Sequence, residues 1–387
     1  MNIPRLSVFV MPVITEIVTL PSPAPGSQHQ LIKHRFTSGS GGRSAYVQAG
    51  LHADEHPGLL VVQHLLQRLQ RLEQEQRILG DIVICPFANP VGLGQNVFGY
   101  VTGRFNLANG ENFNRNFPDA TQALAEIVSP LTGQRSDRAQ LKDLLGQSLS
   151  SLALRECVAS GKRALLQEAF KHDLVLDLHC DTAAVMHLYC INDQRKRAVD
   201  LAACMNIGTV FLEDEAGGQP FDEAYNKPWG MLVENGLASP EQRGFAASIE
   251  LRGQADVDDE LAREDAEGIL RFLALEGLLA MEVPEPDVHR VEVYPLEGAS
   301  HLQANGNGLL VWKKRLGEAV SRDELIAEIV PLDAPLGTPR IAVNSDVDGV
   351  VIVQPLFKLV RAGQRVALLA SKTPLPHRQP GKLLQHF

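Results

Sequence analysis

The segment SAYVQAGLHADEHPG, residues 44–58, joins a short β-rich run to the start of a helical pattern. Leucine and valine recur at helix spacing from Leu59 to Leu72, behind Pro57, which is acceptable in the first turn of a helix. Further short apolar runs, bounded by turn residues, follow along the chain. The predicted strands cover residues 44–49, 81–85, 173–178, 209–212 and 246–251.

Helical patterns lie between or after these strands. Besides the helix behind Pro57, the spacing predicts helices over about 135–172, with a break near Gly161, and over 258–281. Strands that alternate with helices predict an α/β fold with a mostly parallel sheet flanked by helices. In such sheets functional residues gather where the strands end, so the segments after each strand are the first places to search for chemistry.

Composition narrows the class of protein. The chain has 387 residues, of which 44% are hydrophobic and 21% charged, as in a soluble globular protein of about two domains. A formal charge of −10 without a long basic run argues against nucleic acid and anionic membranes as partners. We predict no signal peptide, because the apolar stretch at residues 6–20 lacks a basic n-region and a small-residue cleavage site, and no run approaches the ~20 apolar residues that span a bilayer. Five scattered cysteines without a Cys-x-x-Cys pair indicate a reducing compartment, and we predict a cytoplasmic protein.

The character of the sequence changes at VPEPDV, residues 283–288, which is typical of a linker. Beyond it, residues 308–329 and 349–369 resemble each other, each with a glycine, an apolar strand, a turn and a second apolar strand. The division therefore predicts a catalytic unit over 1–283 and an accessory all-β domain over 284–387, a small β-sandwich with an internal half-repeat. The pattern resembles a biotinyl or lipoyl domain, a barrel-sandwich hybrid, but no lysine stands at a suitable hairpin tip. We therefore favour a structural or substrate-gating role for this domain over that of a swinging-arm carrier.

The sharpest local signal is an H-x-x-E pattern at the predicted strand-to-helix turn. His52 and Glu55 can place an imidazole and a carboxylate in one space, and catalytic zinc typically takes three such protein ligands. The alternative is a helix N-terminus at which the acids only favour the helix dipole. His179, at the end of a later apolar strand, would supply the third ligand. Strand alternation points Asp177 to the same face as His179, where its carboxylate would support that histidine or be an ordinary strand-end acid.

Two arginines and an asparagine mark a loop rich in glycine and asparagine. Asn114 and Arg115 together are suited to clamp a substrate carboxylate, although such composition is mostly turn chemistry. Arg104, on the same loop, is suited to stabilise an oxyanion, or is a solvated loop residue.

Glu250 stands within an otherwise apolar strand, where a charge is costly unless it has a partner or a task. A buried carboxylate beside a metal is suited to general base catalysis. The alternative is a structural ion pair, for which Arg252, two residues further on, would be the cation.

Taken in order, these motifs resemble the zinc carboxypeptidase-like superfamily, and more narrowly the succinylglutamate desuccinylase/aspartoacylase family. The resemblance covers roughly residues 45–281 and includes an Asn-Pro segment at NPVG, residues 89–92. Two departures stand out. Ala53-Asp54 replaces the commoner Gly-Asn after the first histidine, and Asn112 stands where the wider superfamily often has an aspartate that supports a metal-binding histidine.

The resemblance implies a cofactor and a role for each candidate. It implies one Zn²⁺ per chain and a Glu250 that acts as general base on the attacking water. It implies that Arg104 polarises the scissile carbonyl. The residues implied as zinc ligands are His52, Glu55 and His179, and those implied to hold the substrate carboxylate are Asn114 and Arg115.

The implied function is zinc-dependent hydrolysis of the amide bond of an N-acyl amino acid or a related small carboxylate-bearing amide. The substrate would be a small anionic molecule. Two alternatives stay open at this point: a metallocarboxypeptidase that acts on peptides, and a non-catalytic protein that binds zinc or carboxylates on a hydrolase scaffold. Assembly into a homo-oligomer is also left open.

Overall fold

The computed structural model describes residues 13–39 and 42–384. Its α-helices flank one large sheet. No helix in these ranges is long and apolar enough to cross a membrane. In chain order the helices are α1 Pro57–Gln74, α2 Pro90–Leu93, α3 Thr121–Val128, α4 Arg138–Ser150, α5 Cys157–Ala169, α6 Arg195–Cys204, α7 Phe221–Glu234 and α8 Asp259–Leu275. The three predicted helical regions correspond to α1, to α4 with α5, and to α8, which ends at Leu275 rather than near 281, whereas α2, α3, α6 and α7 were not predicted.

The first twelve strands include all five predicted ones. They are β1 Ile14–Thr19, β2 Gln30–Phe36, β3 Ser44–Ala49, β4 Asp81–Cys85, β5 Asn96–Val97, β6 Tyr100–Val101, β7 Leu174–Asp181, β8 Ala183–Ala184, β9 His187–Ile191, β10 Thr209–Glu213, β11 Phe245–Gly253 and β12 Glu292–Pro295. Nine of them form one sheet in the order β1-β2-β4-β3-β7-β11-β9-β10-β12. Five of its eight neighbouring pairs are parallel, and the antiparallel ones are β1 with β2, β2 with β4, and β11 with β9. The protein therefore has a mixed α/β fold with a large, mostly parallel sheet.

The second predicted helical region differs from the expectation in one detail. The helix ends at Ser150 and restarts at Cys157, whereas Gly161 lies inside α5, so the break predicted near Gly161 is wrong. The physical reason is the cap at Glu156, whose carboxylate accepts a hydrogen bond from the Ala159 N–H at 2.8 Å and starts the new helix. A glycine within a helix costs only about 1 kcal/mol and does not have to end it.

Two hydrophobic cores cover the two faces of the large sheet. One contains buried residues of α1, α6 and α8, and the other contains residues of α4, α5 and α7. The close approach of α1 to β7 depends on Gly58, where an added Cβ would lie 3.1 Å from Leu178 Cβ. This packing places the N-terminus of α1 beside the end of β7.

The remaining strands form two further sheets. They are β13 Ala299–Gln303, β14 Gly308–Trp312, β15 Ala319–Val320, β16 Leu325–Val330, β17 Ile341–Asn344, β18 Gly349–Gln354, β19 Leu359–Val360 and β20 Arg365–Ala370. The orders are β13-β20-β18-β15 and β17-β16-β14-β19. The two similar segments have the same pairing: β14 pairs with β16 in the first, and β18 pairs with β20 in the second. Each segment also contributes a short strand to the sheet of the other, because β15 pairs with β18 and β19 pairs with β14.

The C-terminal strands contact the large sheet directly. Strand β12, which lies after residue 283, pairs with β10, and β8 pairs with β18. The Arg365 guanidinium also lies 2.6 Å from the Asp181 carboxylate at the end of β7. The division at residue 283 stays a prediction, and the end of β7 is where the C-terminal strands meet the large sheet.

The packing of α8 predicts a clear difference between two leucines of one helix. Leu270 is fully buried in the core beside the large sheet, whereas Leu275 is 45% exposed. We expect Leu270→Ala to lower the free energy of unfolding by about 2–5 kcal/mol because it leaves a cavity. The control Leu275→Ala should cost less than about 1 kcal/mol. Denaturant unfolding measures both, and equal losses would contradict this account of the core.

Candidate functional site

The predicted H-x-x-E motif lies in the turn between β3 and α1. Gly50 has a φ of +69°, which favours glycine and turns the chain away from the sheet. His52 and Glu55 are buried, and the His52 Nδ1 lies 3.0 Å from the Glu55 Oε1. The turn thus directs an imidazole and a carboxylate into the same space.

His179 joins this pair from the end of β7. Its Nδ1 lies 2.9 Å from the Glu55 Oε2, and the Glu55 Oε2 also accepts the Cys180 N–H at 3.1 Å. Ligand atoms of His52, Glu55 and His179 all lie within 4.8 Å of one another. The three predicted metal ligands therefore come together as a cluster that could hold a metal ion.

The outer ring nitrogens of both histidines have oxygen partners. The Asn112 Oδ1 lies 2.8 Å from the His52 Nε2, and the Asp177 Oδ2 lies 2.8 Å from the His179 Nε2. An oxygen at Nε2 holds the proton there and leaves Nδ1 available as a ligand, which is the usual support of metal-binding histidines. Two imidazoles and one carboxylate, oriented in this way, fit the donor set of a catalytic zinc site.

The electrostatics differ among the three members of the cluster. Burial would lower the pKa of His179, but Asp177 and Glu55 raise it well above its usual range, so a metal must displace a proton from this histidine. Burial would raise the pKa of Glu55, but His52 and His179 hold it well below its usual range, so the carboxylate is ionised. Burial and the Arg104 guanidinium lower the pKa of His52, which favours the neutral imidazole that a metal requires.

Glu250 lies next to this cluster on β11, where it pairs in register with His179 of β7. Its Oε2 is buried without a hydrogen-bond partner among the described residues. Burial and the carboxylate of Glu55 raise the pKa of Glu250 to about 8. A carboxyl group in this state is suited to exchange a proton with a substrate or water.

The alternative of an ion pair between Glu250 and Arg252 is wrong. Arg252 pairs with Asp265 of α8 instead. Strand alternation would put Arg252 on the same face as Glu250, but the register shifts between Glu250 and Gly253 and Arg252 has a φ of +59°. This irregularity turns the arginine away from the cluster.

Arg104 is brought to the rim of the cluster by a close backbone contact. The Ala53 N–H donates to the Gly103 carbonyl at 3.0 Å, and an added Cβ at Gly103 would lie 2.5 Å from Ala53 Cβ. The Arg104 Nη1 donates to the Glu55 Oε1 at 2.8 Å. The guanidinium is therefore near the predicted metal ligands, as an oxyanion-stabilising group must be.

Asn114 and Arg115 line the same space, and the Asn114 Nδ2 lies 3.4 Å from the His179 Nε2. The Asn114 Oδ1 accepts the Phe221 N–H at 2.8 Å, which ties the loop to the start of α7. The Arg115 Nη1 donates to the Asn114 carbonyl at 2.7 Å, whereas its Nε is buried without a partner among the described residues. That both hold a substrate carboxylate stays a prediction.

A cleft of about 710 Å³, its open mouth included, unites these groups. Six of the seven predicted site residues line it, and the seventh, Glu55, is buried. The sequence analysis missed several other lining residues, namely Tyr189, Glu213, Asp222, Ser248, Leu296, His301, Arg365 and Leu384. Glu213 carried a usable signal, because it is an acid at the end of an apolar strand, as Glu250 is an acid within one.

Comparisons with known proteins show the family to which the chain belongs. A buried His-Glu-His cluster beside an unpaired carboxylate, on a mostly parallel sheet, is an arrangement suited to metal-assisted hydrolysis. A model of the succinylglutamate desuccinylase/aspartoacylase catalytic domain matches residues 41–276, more than half of the chain. The chain belongs to this family, which confirms the resemblance seen in the motifs and supports an amide deacylase.

Individual relatives agree with this assignment. The N-alpha-acetyl-L-2,4-diaminobutyric acid deacetylase of Halomonas elongata is 22% identical over 338 residues, 85% of this chain and 82% of the relative. A family member from Shewanella amazonensis SB2B is 26% identical with a TM-score of 0.80, and the match covers 93% of this chain and 99% of that chain. One from Shewanella frigidimarina NCIMB 400 is 25% identical with a TM-score of 0.78, covering 94% and 99%.

The cluster predicts that metal content depends on His52. We expect His52→Ala to lower the metal bound per chain sharply, because one of three ligands is lost. The matched control is His64→Ala on α1, whose imidazole pairs with Asp259 outside the cluster. Elemental analysis of the purified variants measures the effect. Unchanged metal content in His52→Ala would contradict the site.

The support of His52 by Asn112 predicts a second effect. Asn112→Leu removes the oxygen that orients the imidazole, and we expect metal affinity to fall about 10–100-fold. Asn112→Asp keeps an acceptor at that place and should retain the metal. Competition with a metal chelator measures the affinity of each variant. Equal affinities for the leucine variant and the unchanged protein would remove Asn112 from the site.

Proposed function

We propose that this protein is a zinc-dependent deacylase that hydrolyses the amide bond of an N-acyl amino acid or a related small carboxylate-bearing amide. The observation that carries the proposal is the half-buried carboxylate of Glu250, directly beside the His-Glu-His cluster, whose Oε2 is buried without a hydrogen-bond partner among the described residues. A site that only binds a metal has no need of such a group.

The relative from Halomonas elongata supports the substrate class, since its name states that it deacetylates an N-acetylated amino acid. The charges of the cleft agree with this class. Arg104 and Arg115 line it together with His52 and His179, so a carboxylate and a developing oxyanion would both meet cations. This local attraction matters because the whole chain carries a formal charge of −10.

Each predicted site residue has its own role in the proposed reaction. A bound Zn²⁺ would supply Lewis acidity and lower the pKa of a water molecule toward about 7. Glu250 accepts a proton as the water attacks the amide carbon and passes it to the leaving amine. Arg104 donates hydrogen bonds to the carbonyl oxygen as charge develops there. Arg115, with Asn114, holds the substrate carboxylate and so positions the amide.

The pKa of Glu250 suits this double role. A group that first takes a proton and later gives it up works best when its pKa lies near the operating pH. Burial raises the pKa of Glu250 to about 8 in the absence of an ion, and a bound dication would lower it. Burial and a bound metal therefore shift the pKa of Glu250 in opposite directions, and the two shifts offset each other.

The alternative of a metallocarboxypeptidase is less well supported. Leu296, after β12, His301 of β13 and Arg365 of β20 line the cleft, and Arg365 pairs with Asp181 beside the site. These side chains narrow the space that an extended peptide would need. We therefore propose that the C-terminal strands, as a small β-sandwich, restrict the site to small substrates. The division at residue 283, the cytoplasmic location and any homo-oligomer stay predictions.

The mechanism predicts a specific effect of removing the base. Glu250→Gln keeps the shape of the side chain but cannot accept the proton, so we expect kcat to fall by about 10²–10⁴-fold. Metal content should stay unchanged because Glu250 is not a ligand. The matched control is Glu234→Gln at the exposed end of α7, which should keep full activity. Loss of metal in Glu250→Gln would instead make it a ligand and overturn the assigned role.

The choice between deacylase and peptidase is tested on the unchanged protein. We expect hydrolysis of N-acetyl amino acids and little hydrolysis of short peptides, because the C-terminal strands narrow the cleft. A chelator should abolish the activity, and added Zn²⁺ should restore it. Preference for peptides would favour the carboxypeptidase, and bound metal without any turnover would favour the non-catalytic alternative.

A further inference from the structure

A row of polar side chains crosses the centre of the large sheet next to the predicted metal ligands. Gln48 of β3 and Ser248 of β11 are both cross-strand neighbours of Asp177 on β7. Two residues further along these strands, on the same face, His179 pairs with Glu250. Asp177 thus stands between the metal ligand His179 and polar neighbours on two adjacent strands.

Gln48 is a costly residue at its position unless its amide is used. It is fully buried, in a strand whose six residues are all buried. A buried amide without hydrogen bonds destabilises a protein, so the partners of this one are informative. The Gln48 Nε2 donates to the Asp177 Oδ1 at 3.0 Å, and the Gln48 Oε1 accepts the Tyr46 hydroxyl at 2.9 Å. Both ends of the amide therefore have a partner.

The chemistry of the partners fixes the direction of these hydrogen bonds. A carboxylate only accepts, so the amide presents its N–H group to Asp177 and its oxygen to Tyr46. Burial raises the pKa of Tyr46 well above its usual range, so the hydroxyl keeps the proton that it donates. The Cys85 thiol also contacts this hydroxyl, but a thiol is only a weak hydrogen-bonding group. Tyr46 therefore holds Gln48 in one orientation.

Asp177 has one oxygen for each of two partners. Its Oδ1 accepts from Gln48, and its Oδ2 lies 2.8 Å from the His179 Nε2. The side chain of its other neighbour, Ser248, hydrogen-bonds Asp222. Gln48 thus satisfies one oxygen of a fully buried carboxylate and keeps the other oxygen turned toward the imidazole.

The position of Asp177 decides which nitrogen of His179 carries the proton. Two groups lie near the His179 Nε2: the Asp177 acceptor at 2.8 Å and the Asn114 Nδ2 donor at 3.4 Å. The Asn114 amide is fixed in this orientation because its Oδ1 accepts the Phe221 N–H. With Asp177 in place, Nε2 holds the proton and Nδ1 is available to a metal. Without it, the Asn114 donor would favour the opposite tautomer, in which a proton blocks Nδ1.

His52 is supported in a different way. Its Nε2 lies 2.8 Å from the Asn112 Oδ1, which also accepts the Asn114 N–H at 2.9 Å within the same loop. This support comes from a loop, whereas that of His179 comes from the sheet. The two histidines therefore provide an internal comparison, because a defect at Gln48 should reach His179 and spare His52.

We propose that Gln48 and Tyr46 are positioning residues of the metal site, which act through Asp177 to keep the His179 Nδ1 available to the metal. The inference rests on the proposed zinc-dependent function and extends the site by two residues of β3 that do not line the cleft. A purely structural role for this pair would lower the stability of the fold without a specific effect on metal binding.

The first experiment measures the Zn²⁺ affinity of full-length variants by competition with a chelator. Gln48→Met removes both hydrogen bonds of the amide, and we expect a loss of about tenfold, at the lower end for an outer partner of a metal ligand. Tyr46→Phe removes only the hydroxyl, and we expect a loss of about threefold, as for one neutral hydrogen bond. Unchanged affinity in Gln48→Met would overturn the inference, and unchanged affinity in Tyr46→Phe would remove Tyr46 from it.

The matched control is Tyr225→Phe. Tyr225 is buried in the same hydrophobic core as Tyr46, and its hydroxyl donates to the His172 carbonyl at 2.7 Å. The melting temperature of this variant should fall like that of Tyr46→Phe, whereas its Zn²⁺ affinity should stay unchanged. An equal fall of affinity in both variants would reduce the effect to lost stability and overturn the inference. If Gln48→Met does not fold, this pair of tyrosine variants still decides.

A spectroscopic readout separates the two histidines. In the Co²⁺-loaded protein the ring N–H protons of metal-bound histidines give NMR signals outside the ordinary range, and Asn112→Leu identifies the signal of His52. We expect Gln48→Met to speed the exchange of the His179 ring proton with water and to leave the His52 signal unchanged. Equal changes in both signals would indicate a general loosening of the site and overturn the inference.

These measurements distinguish failure of the inference from failure of the proposed function. If the unchanged protein binds neither Zn²⁺ nor Co²⁺, the proposed zinc-dependent function fails. If the unchanged protein binds Zn²⁺ and the Gln48→Met and Tyr46→Phe variants bind it equally well, only the positioning role fails.

Discussion

The buried carboxylate of Glu55 is the constraint on which the site depends. A carboxylate at 2% exposure is stable only with polar partners around it, and three segments of the chain supply them. The Cys180 N–H at the end of β7 and the Arg104 guanidinium from the loop after β6 donate hydrogen bonds to it. The Nδ1 atoms of His52, from the turn before α1, and of His179 lie 3.0 and 2.9 Å from its oxygens. The same convergence that satisfies Glu55 creates a cluster of metal-binding donors.

From this cluster a cleft opens whose lining is rich in charge. His52, His179 and Glu250 line it together with Arg104, Arg115 and Glu213. Strands that belong to the C-terminal part of the chain close one wall, because Arg365 reaches Asp181 at the end of β7. The C-terminal region, in which the sequence analysis found no candidate catalytic residue, therefore helps to determine which molecules fit the cleft.

Sequence reasoning works where the signal is local. The strand before the H-x-x-E turn, the helix behind Pro57 and the apolar strand that ends at His179 all have strong periodic patterns, and their positions agree with the structure. It fails where tertiary contacts override a local rule. Gly161 lies within a helix because packing tolerates it, and Arg252 leaves the face of Glu250 because an irregularity in β11 turns it toward Asp265.

The sequence by itself determines the α/β class, the family motifs and the residues that can bind a metal, because each depends on a short segment and its periodicity. Only the tertiary structure decides that Glu250 has no ion-pair partner, that Asn112 supports His52, and that Glu213 shares a cleft with Arg115. The physical reason is that each of these contacts joins segments that are distant in the sequence. Strand order and helix packing determine which segments meet, and no local sequence pattern indicates it.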